Sequence, residues 1–372
     1  MILPKARVGQ PLLLVRRELD FSFFPMFKTN RRWGLNSMLY AAEPWGVIAG
    51  SVSNQIPAGP ERKSAQSFVR QAREYFVAAE RAGAIETTPL LYYYCFLNIG
   101  KALSIARHRS GLVGKVRHGI AQVSSTGYSP STSELVMQRS GADVSALDEL
   151  HFSLTGAHVP TSRIPVRELI AQSVVGHRLW REAANRRERF VSVEQVRLRH
   201  EVATKRIWAT VQVRHDTLSI RRRGVSETVR EADLSAQFHA VADSIDGSTE
   251  FRDFEQSVPV KYTARPSDSV MDVIDIVRPK LWQTITSAPP YRRYFLYLSP
   301  LGEVRLPEWL TIYSALFWLG SMTRYQPVEL LELLEGGYGP FFREFLAAQP
   351  PQLLYMFASE FRKQEVAKAA VV

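Results

Sequence analysis

One stretch of this chain, TPLLYYYCFLNIGKAL at positions 88–103, is apolar on nearly every side of a helix. Thr88 can cap such a helix, and Pro89 suits its first turn, where a missing N–H group costs nothing. A surface helix has an apolar stripe and a polar face, whereas a helix that is apolar all round belongs in a core. The sequence therefore predicts that a helix from Thr88 to about Ala106 is the central helix of the fold.

Two polar side chains interrupt this helix, Asn98 and Lys101, and Tyr94 lies one turn ahead of Asn98. A buried ammonium group without a partner is costly, so these groups must be satisfied. Either Lys101 reaches the surface along its aliphatic stem while Asn98 bonds to neighbouring backbone, or the side chains line a pocket. The first alternative is favoured, and Tyr94, Asn98 and Lys101 are the candidate pocket residues.

The composition is typical of a globular protein, with 45% hydrophobic and 22% charged residues in a chain of 372. Cys95 is the only cysteine, so neither an intramolecular disulfide nor a cysteine-based zinc site can form. The N-terminus has no apolar run followed by a small-residue cleavage site, and no stretch approaches the roughly 18 apolar residues that span a bilayer. We therefore expect a cytoplasmic protein that does not engage a membrane.

The net charge of +11 is concentrated in one part of the chain. Positions 178–223 carry 13 Arg and Lys residues against 5 Asp and Glu residues. A concentrated basic stretch is typical of a polyanion-binding surface, although an arginine-rich solvated surface has the same composition. The sequence therefore favours nucleic acid, RNA or DNA, as the partner, with a protein partner or a homo-oligomer as further alternatives.

Alternating apolar and polar residues predict strands within the same region. Val191, Val193, Val196 and Leu198 come close to a period of two, and positions 207–213 follow it strictly. On such strands the arginines fall on the polar face, which predicts a small antiparallel sheet with a cationic outer surface. The predicted nucleic-acid-binding residues are Arg197, Arg199, Arg206, Arg214, Arg221, Arg222 and Arg223.

Gly, Pro and Ser punctuate two other parts of the chain. The first 60 residues contain several Pro and Gly residues, which predicts an irregular segment that wraps over the helices that follow. Positions 121–165 are rich in Ser and Gly, which predicts loops around short helices.

Two motifs resemble the YaaC-like family of bacterial proteins. The first is PLLYYYCFLNIGKALSIA, with RHGI after a short loop, and the second is FWLGSMTRYQPVEL near the C-terminus. Trp45, ahead of the first long helix, also stands where that family has a tryptophan. The resemblance spans most of the chain and implies a cytosolic bacterial protein without an established activity.

The first motif is also similar to HEPN domains, which are small helical bundles in toxins, ribonucleases and phage-defence proteins. The shared features are paired tyrosines ahead of KAL on one helix and a histidine that opens another helix. Catalytic members of that group act on RNA without metal, through an arginine and a histidine separated by four to six residues. None of the eight histidines has an arginine five to seven positions before it, so this catalytic pair is absent.

The loop RHRSGLVGKVRHG, at positions 107–119, is rich in side chains that could take part in catalysis or binding. It is a poor match to a phosphate-binding loop, because the Gly–Gly spacing is too short and no Ser or Thr follows the lysine. His118 could transfer a proton on a phosphodiester while Arg117 or Arg109 holds the anion, although such a histidine commonly only packs at a loop. These three are the candidate catalytic residues. Arg324, at a predicted helix end, is interpreted as a structural cation.

Together these patterns predict an α+β fold, a mainly helical HEPN-like bundle with a small antiparallel β-sheet insertion. Residues 1–188 would form the N-terminal segment and half of the bundle. Residues 189–300 would form an arginine-rich β region, and residues 301–372 would supply the helices that complete the bundle. No metal-ligand pattern is present, and we expect neither a metal nor a cofactor.

The leading hypothesis for function is a non-catalytic or weakly catalytic module that engages nucleic acid, within a bacterial antiviral defence or stress system. A divergent, metal-independent HEPN-type ribonuclease is one alternative. A protein-interaction scaffold subunit is the other. The sequence leaves open whether any catalysis occurs, whether RNA or DNA is bound, and which nucleotide sequence is preferred.

Overall fold

The structure is a computed structural model that describes residues 3–14, 16–25, 38–124, 127–214, 224–242, 250–288 and 290–369. Two compact units divide the chain. The sheet unit comprises Met1–Leu39 and Glu188–Glu303, and the helical unit comprises Tyr40–Arg187 and Val304–Val372. In the described ranges, no helix is long and apolar enough to cross a membrane.

The secondary structure of the described residues comprises eleven α-helices and fifteen strands. The helices are α1 Trp45–Gln55, α2 Pro60–Arg81, α3 Thr88–Ala106, α4 Ala146–Thr155, α5 Val166–Ile170, α6 His177–Ala184, α7 Val225–Glu231, α8 Val270–Val277, α9 Glu308–Tyr325, α10 Pro327–Glu335 and α11 Gly339–Arg362. The strands are β1 Gln10–Pro11, β2 Leu13–Leu14, β3 Arg17–Glu18, β4 Leu39–Ala41, β5 Ile120–Ser124, β6 Ser133–Met137, β7 Arg163–Pro165, β8 Phe190–Glu201, β9 Arg206–Arg214, β10 Phe238–Ala240, β11 Phe251–Gln256, β12 Val260–Lys261, β13 Leu281–Ile285, β14 Arg292–Tyr297 and β15 Val366–Lys368.

An antiparallel sheet of eight strands forms the sheet unit. Its order is β10–β11–β9–β8–β14–β13, with β1 added to β8 and β12 added to β9. The predicted fold class is therefore wrong: the chain is α+β with a large sheet, and not a mainly helical bundle with a small one. The sequence underestimated the sheet because six of its strands have only two to six residues, too few to show a clear period of two.

The two long strands β8 and β9 carry the core of this sheet. Val196 lies opposite Val211, and the alternating apolar residues of both strands share one face, against which α8 packs. A β-bulge between Val193 and Gln195 shifts the alternation by one residue. The bulge explains why the sequence of β8 only approaches a period of two.

Helix α3 is the central helix of the helical unit, as its composition predicts. Fourteen of its nineteen residues are buried, and it packs against α1, α2, α4, α9 and α11. Gly320 of α9 lies against α3, where an added Cβ would be 3.3 Å from Leu90 Cα and 3.5 Å from the Pro89 carbonyl oxygen. Glycine at this position therefore lets α9 approach α3 closely, beside Tyr93.

A second antiparallel sheet, with the order β5–β6–β7, belongs to the helical unit. The sequence predicted loops around short helices at positions 121–165. The short helix α4 is present, but β5, β6 and β7 form strands where only loops were expected. Gly119, directly before β5, has a φ of 79°, and a Cβ at this position would collide with Ser145 Oγ. Glycine is required there by both conformation and space. This position sets the path that leads from His118 into β5.

Candidate functional site

His118 lies near the end of the 107–119 loop, just ahead of β5, and aromatic rings surround its imidazole. The Tyr93 hydroxyl lies 2.5 Å from His118 Nδ1, and the two ring centroids are 5.5 Å apart. The rings of Phe317 and Tyr94 are centred 6.4 Å and 6.5 Å from the imidazole. Helices α3 and α9 therefore fix the imidazole by one hydrogen bond and several ring contacts. The sequence analysis missed Tyr93.

A pocket of about 540 Å³ opens beside this histidine, within the helical unit. Residues of α3, β5 and α9 supply most of its walls. Its volume falls within the range of roughly 300–1,000 Å³ that small-molecule sites occupy. The described residues that line it are Leu90, Tyr93, His118, Ile120, Ala121, Gln122, Ser124, Tyr128, Phe317, Gly320, Ser321, Arg324, Tyr325 and Gln326.

Arg324 supplies the positive charge of this pocket, and no carboxylate belongs to the described lining. Its Nη1 donates to the Tyr94 hydroxyl at 3.0 Å, and its guanidinium carbon lies 4.8 Å from the centroid of the Tyr325 ring. Arg324 occupies the last turn of α9, the helix-end position that the sequence interpretation gave it. The same position brings an exposed guanidinium, held between two tyrosines, to the pocket.

His118 and Tyr93 are held uncharged at neutral pH. Burial, followed by the charges of Lys101 and Arg324, lowers the pKa of His118 below the usual histidine value. Burial raises the pKa of Tyr93 well above its usual value, and a hydrogen bond with Tyr313 raises it further. The two cations therefore determine the local potential, which favours an anionic ligand.

Two glutamines in the pocket wall have buried amide atoms without partners. In the part of the chain that the structure describes, Nε2 and Oε1 of Gln122 and Oε1 of Gln326 make no hydrogen bond. Leaving such groups buried and unpaired costs about 1–3 kcal/mol each. A ligand that offers both a donor and an acceptor could offset this cost.

A comparison with known families decides where this chain belongs. Residues 43–361 match a family model described as YaaC-like Protein, and the match includes every described residue of the pocket wall. This chain belongs to the YaaC-like family. No curated protein and no solved structure matches it. These comparisons give no support to the resemblance to HEPN domains.

The two arginines that the sequence analysis placed beside His118 lie elsewhere in the YaaC-like chain. Arg117 Nη2 pairs with Asp143 Oδ2 at 2.5 Å, and Arg109 Nε pairs with Glu149 Oε2 at 2.5 Å. Both bonds tie the 107–119 loop to α4 and the segment before it. The structure therefore does not bring these arginines into the pocket, and the catalytic role of the three residues stays a prediction.

The three predicted pocket residues of α3 form a row that faces α2. Each contacts one residue of α2, and the pairs are Tyr94–Tyr75, Asn98–Gln71 and Lys101–Phe68. The rings of the first pair are 5.7 Å apart, the amides bond at 3.3 Å, and the ammonium nitrogen is 5.2 Å from the phenyl centroid. We call these three pairs the α2–α3 seam. None of its members lines the pocket, and Tyr94 reaches it through Arg324.

The predicted nucleic-acid-binding arginines of this YaaC-like chain lie in mixed surroundings. Within the described ranges, Arg197 and Arg199 are half-buried, whereas Arg206 and Arg214 are exposed. The buried carboxylate of Glu255 shares their face, because it lies opposite Thr210, which lies opposite Arg197. The arginines at 221–223 fall outside the described residues. Binding of nucleic acid by this face stays a prediction.

Proposed function

We propose that this YaaC-like protein binds a nucleotide unit, free or within a nucleic acid, in the pocket beside His118. The observation that carries the proposal is a pocket of about 540 Å³ whose described walls combine an arginine with several aromatic rings and no carboxylate. A nucleotide joins an anionic phosphate to a planar base, so it needs a cation and an aromatic surface within one site.

Each part of a nucleotide has a complementary group in the pocket. The guanidinium of Arg324 suits a phosphate, because its planar fork of donors matches the oxygen atoms. His118 Nε2, which has no protein partner in the described ranges, can add a second contact. The ring of Phe317 offers a surface for the base. The unpaired amides of Gln122 and Gln326 match the donors and acceptors of a base edge.

A metal-independent ribonuclease is the second candidate, and the neutral His118 beside Arg324 is the observation that favours it. An imidazole can take a proton from a ribose hydroxyl while a guanidinium stabilises the developing charge. Cleavage also requires an acid for the leaving oxygen, and the raised pKa of Tyr93 makes it a weak one. Binding is therefore the better supported function. In the described ranges, no group of three or more His, Cys, Asp or Glu could hold a metal ion.

The cellular setting of this proposal comes from the sequence. We propose a cytoplasmic role in a bacterial defence or stress system, and the support for this setting is the sequence resemblance alone. A scaffold subunit that holds other proteins together is the outcome if the pocket takes no nucleotide.

The test is direct titration with adenosine monophosphate and short RNA at low salt. Arg324→Gln should weaken binding by about 10- to 100-fold, because a hydrogen bond to a charged group contributes about 1.5–3 kcal/mol. Arg117→Gln is the matched control, since Arg117 is exposed and pairs with Asp143 outside the pocket. That variant should bind as the parent does.

Three further outcomes decide among the candidates. Affinity for RNA should fall steeply between low and moderate salt if phosphate contacts carry the binding. If no nucleotide or RNA binds at low salt, the proposal fails and the scaffold takes its place. If the parent cleaves RNA, and His118→Ala abolishes cleavage but retains binding, the ribonuclease is the correct function.

A further inference from the structure

A row of tyrosines and one arginine continues from the pocket across the surface of the helical unit. Tyr75 stacks on Tyr94 with an angle of 29° between the ring planes. The Tyr94 hydroxyl accepts from Arg324, whose guanidinium lies against the ring of Tyr325. Tyr325 itself lines the pocket. Rings and cation therefore alternate along a continuous path from the pocket to the α2–α3 seam.

The rings at both ends of this path are exposed to solvent. Tyr325 is 61% exposed and Tyr75 is 36% exposed. An aromatic side chain stabilises a fold mainly by its burial, so exposed rings contribute little to the unliganded protein. Their contacts with Tyr94 and Arg324 nonetheless hold them in place. Exposed rings that are held beside a cation are suited to receive planar groups from a ligand.

Lys101 places a second cation at the far end of the seam. It is half-buried, burial lowers its pKa, and in the described ranges no carboxylate pairs with it. Desolvating an ammonium group without a counter-ion is unfavourable, and a phosphate at this position would compensate its charge. Helix α10, which begins directly after the pocket residue Gln326, carries Glu329, Glu332 and Glu335. An anionic chain is therefore attracted toward Lys101 and repelled from α10.

We propose, on the basis of the proposed function, that one nucleotide of a single-stranded nucleic acid enters the pocket and its neighbours lie along the α2–α3 seam. The alternation of rings and cations matches the alternation of bases and phosphates in a strand. Stacking on a ring accepts any base, so the seam adds affinity with little sequence preference. A duplex does not fit, because its bases are stacked and paired with one another.

The length of the seam sets the length of the bound strand. Tyr94 and Lys101 are seven residues apart on α3, which is about 10 Å at about 1.5 Å per residue. Stacked nucleotides follow one another at about 3.4 Å along a strand. The seam therefore takes about three nucleotides, and the pocket adds one more. A hexanucleotide is long enough to fill both.

The experiment compares adenosine monophosphate with single-stranded hexaadenylate, as RNA and as DNA, on the full chain. The hexanucleotide should bind at least about tenfold more tightly than the mononucleotide. Tyr75→Ala should weaken hexanucleotide binding by about 5- to 100-fold, the range that loss of a stacked ring produces. Lys101→Met keeps the contact with Phe68 but removes the charge, so it should weaken hexanucleotide binding too. It should also reduce the slope of log affinity against log salt concentration by about one. Tyr75→Ala should leave the affinity for the mononucleotide unchanged, and Lys101→Met should lower that affinity much less than it lowers the affinity for the hexanucleotide.

Two control variants belong to the same unit but lie outside the pocket and the seam. Tyr40→Ala removes a tyrosine that is 43% exposed, and Lys368→Met removes an exposed lysine. Both should bind the hexanucleotide as the parent does. The RNA and DNA arms show which strand is preferred.

The outcomes separate this inference from the proposed function. If the mononucleotide binds but the hexanucleotide binds no more tightly, or if the seam variants match the controls, the seam proposal is overturned and the pocket proposal stands. If neither ligand binds, the pocket proposal fails as well. A variant that no longer folds loses both ligands, and the other seam variant then decides.

Discussion

Gln122 is a side chain that the unliganded fold leaves unsatisfied, and Gln172 is its natural comparison. Both amide atoms of Gln122 are buried without a partner in the described ranges. Gln172 is also buried, but it donates to the Val304 carbonyl at 2.8 Å and accepts from the Leu306 N–H at 2.9 Å. An unpaired buried amide destabilises a fold, whereas a paired one supports it. The two glutamines should therefore respond differently to the same substitution.

Gln122→Met should leave the free energy of unfolding unchanged or raise it, because it removes an unpaired amide at nearly constant volume. The same variant should weaken nucleotide binding. Gln172→Met should lower the free energy of unfolding by about 1–3 kcal/mol, since it leaves two buried backbone groups unpaired. Denaturant titration measures the first quantity and ligand titration the second. Equal losses of stability in both variants would show that Gln122 has a structural role.

Tyr93 shows how far a sequence can specify such a site. Three tyrosines stand in a row, and the sequence analysis chose Tyr94 for the pocket. The side chain that shares a hydrogen bond with His118 is instead Tyr93, and Tyr94 turns toward α2. A shift of one residue on a helix changes the direction of a side chain by about 100°. The choice between neighbours depends on which helices pack against α3, and local sequence does not contain that information.

At the scale of elements, the apolar composition of α3 predicted that helix well. Its expected bounds, Thr88 and about Ala106, are the observed ones. The Pro and Gly residues in the first 60 positions predict an irregular segment, so the sequence did not indicate α1. Pro44 in fact stands just ahead of its first turn, and no group lies within 4 Å of a Cβ at Gly46 or Gly50. Helix α11 likewise continues through Pro350 and Pro351.

Gly119→Ala tests the turn that leads into β5. The substitution adds a side chain at a φ of 79° and places it against the Ser145 hydroxyl, which caps α4. We expect a loss of about 2 kcal/mol or more of unfolding free energy, from backbone strain and from the disturbed cap together. Gly114→Ala is the matched control, since Gly114 also has a positive φ but no group within 4 Å of its Cβ.

The comparison of these two glycine variants is made by thermal and denaturant unfolding. The control should show the backbone strain alone, so its loss should be the smaller one. Gly119→Ala should also weaken nucleotide binding, because it displaces His118 and β5 together. Equal losses of stability in the two variants would contradict the proposed collision with the helix cap.

At the scale of the whole molecule, contacts between residues far apart in the chain determine features of the fold that local sequence patterns did not predict. Arg7 donates from Nη1 to the Gln256 carbonyl at 2.6 Å and from Nη2 to the Ser257 carbonyl at 2.6 Å. Its guanidinium also pairs with the buried Glu255. These partners are about 250 positions away in the sequence, as the separations of 249 and 250 show. The first residues therefore complete the sheet unit, a pairing that no local pattern indicates.

Stability should fall as the pH is lowered from about 7.5 to about 5.5, across the usual pKa of histidine. Burial lowers the pKa of four histidines, two in each unit: His118, His151, His200 and His239. A histidine with a lowered pKa binds fewer protons in the folded state than in the unfolded state. Unfolding therefore becomes easier as the pH drops through the pKa that the histidine has in the unfolded chain. Burial raises the pKa of Glu255, and this carboxyl therefore offsets part of the loss of stability at the low-pH end of the window. A thermal midpoint that stays constant or rises over this window would contradict the prediction.

Tyr93 determines what the free nitrogen of the imidazole offers a ligand. Its hydroxyl lies 2.5 Å from His118 Nδ1, and either partner of this pair can supply the hydrogen. When Tyr93 donates, the neutral imidazole carries its hydrogen on Nε2, which then donates to an anion but cannot take up a proton. When Nδ1–H donates to the hydroxyl, Nε2 is an acceptor and can take up a proton from a ligand. The position of one hydrogen therefore decides whether His118 holds an anion or acts as a base.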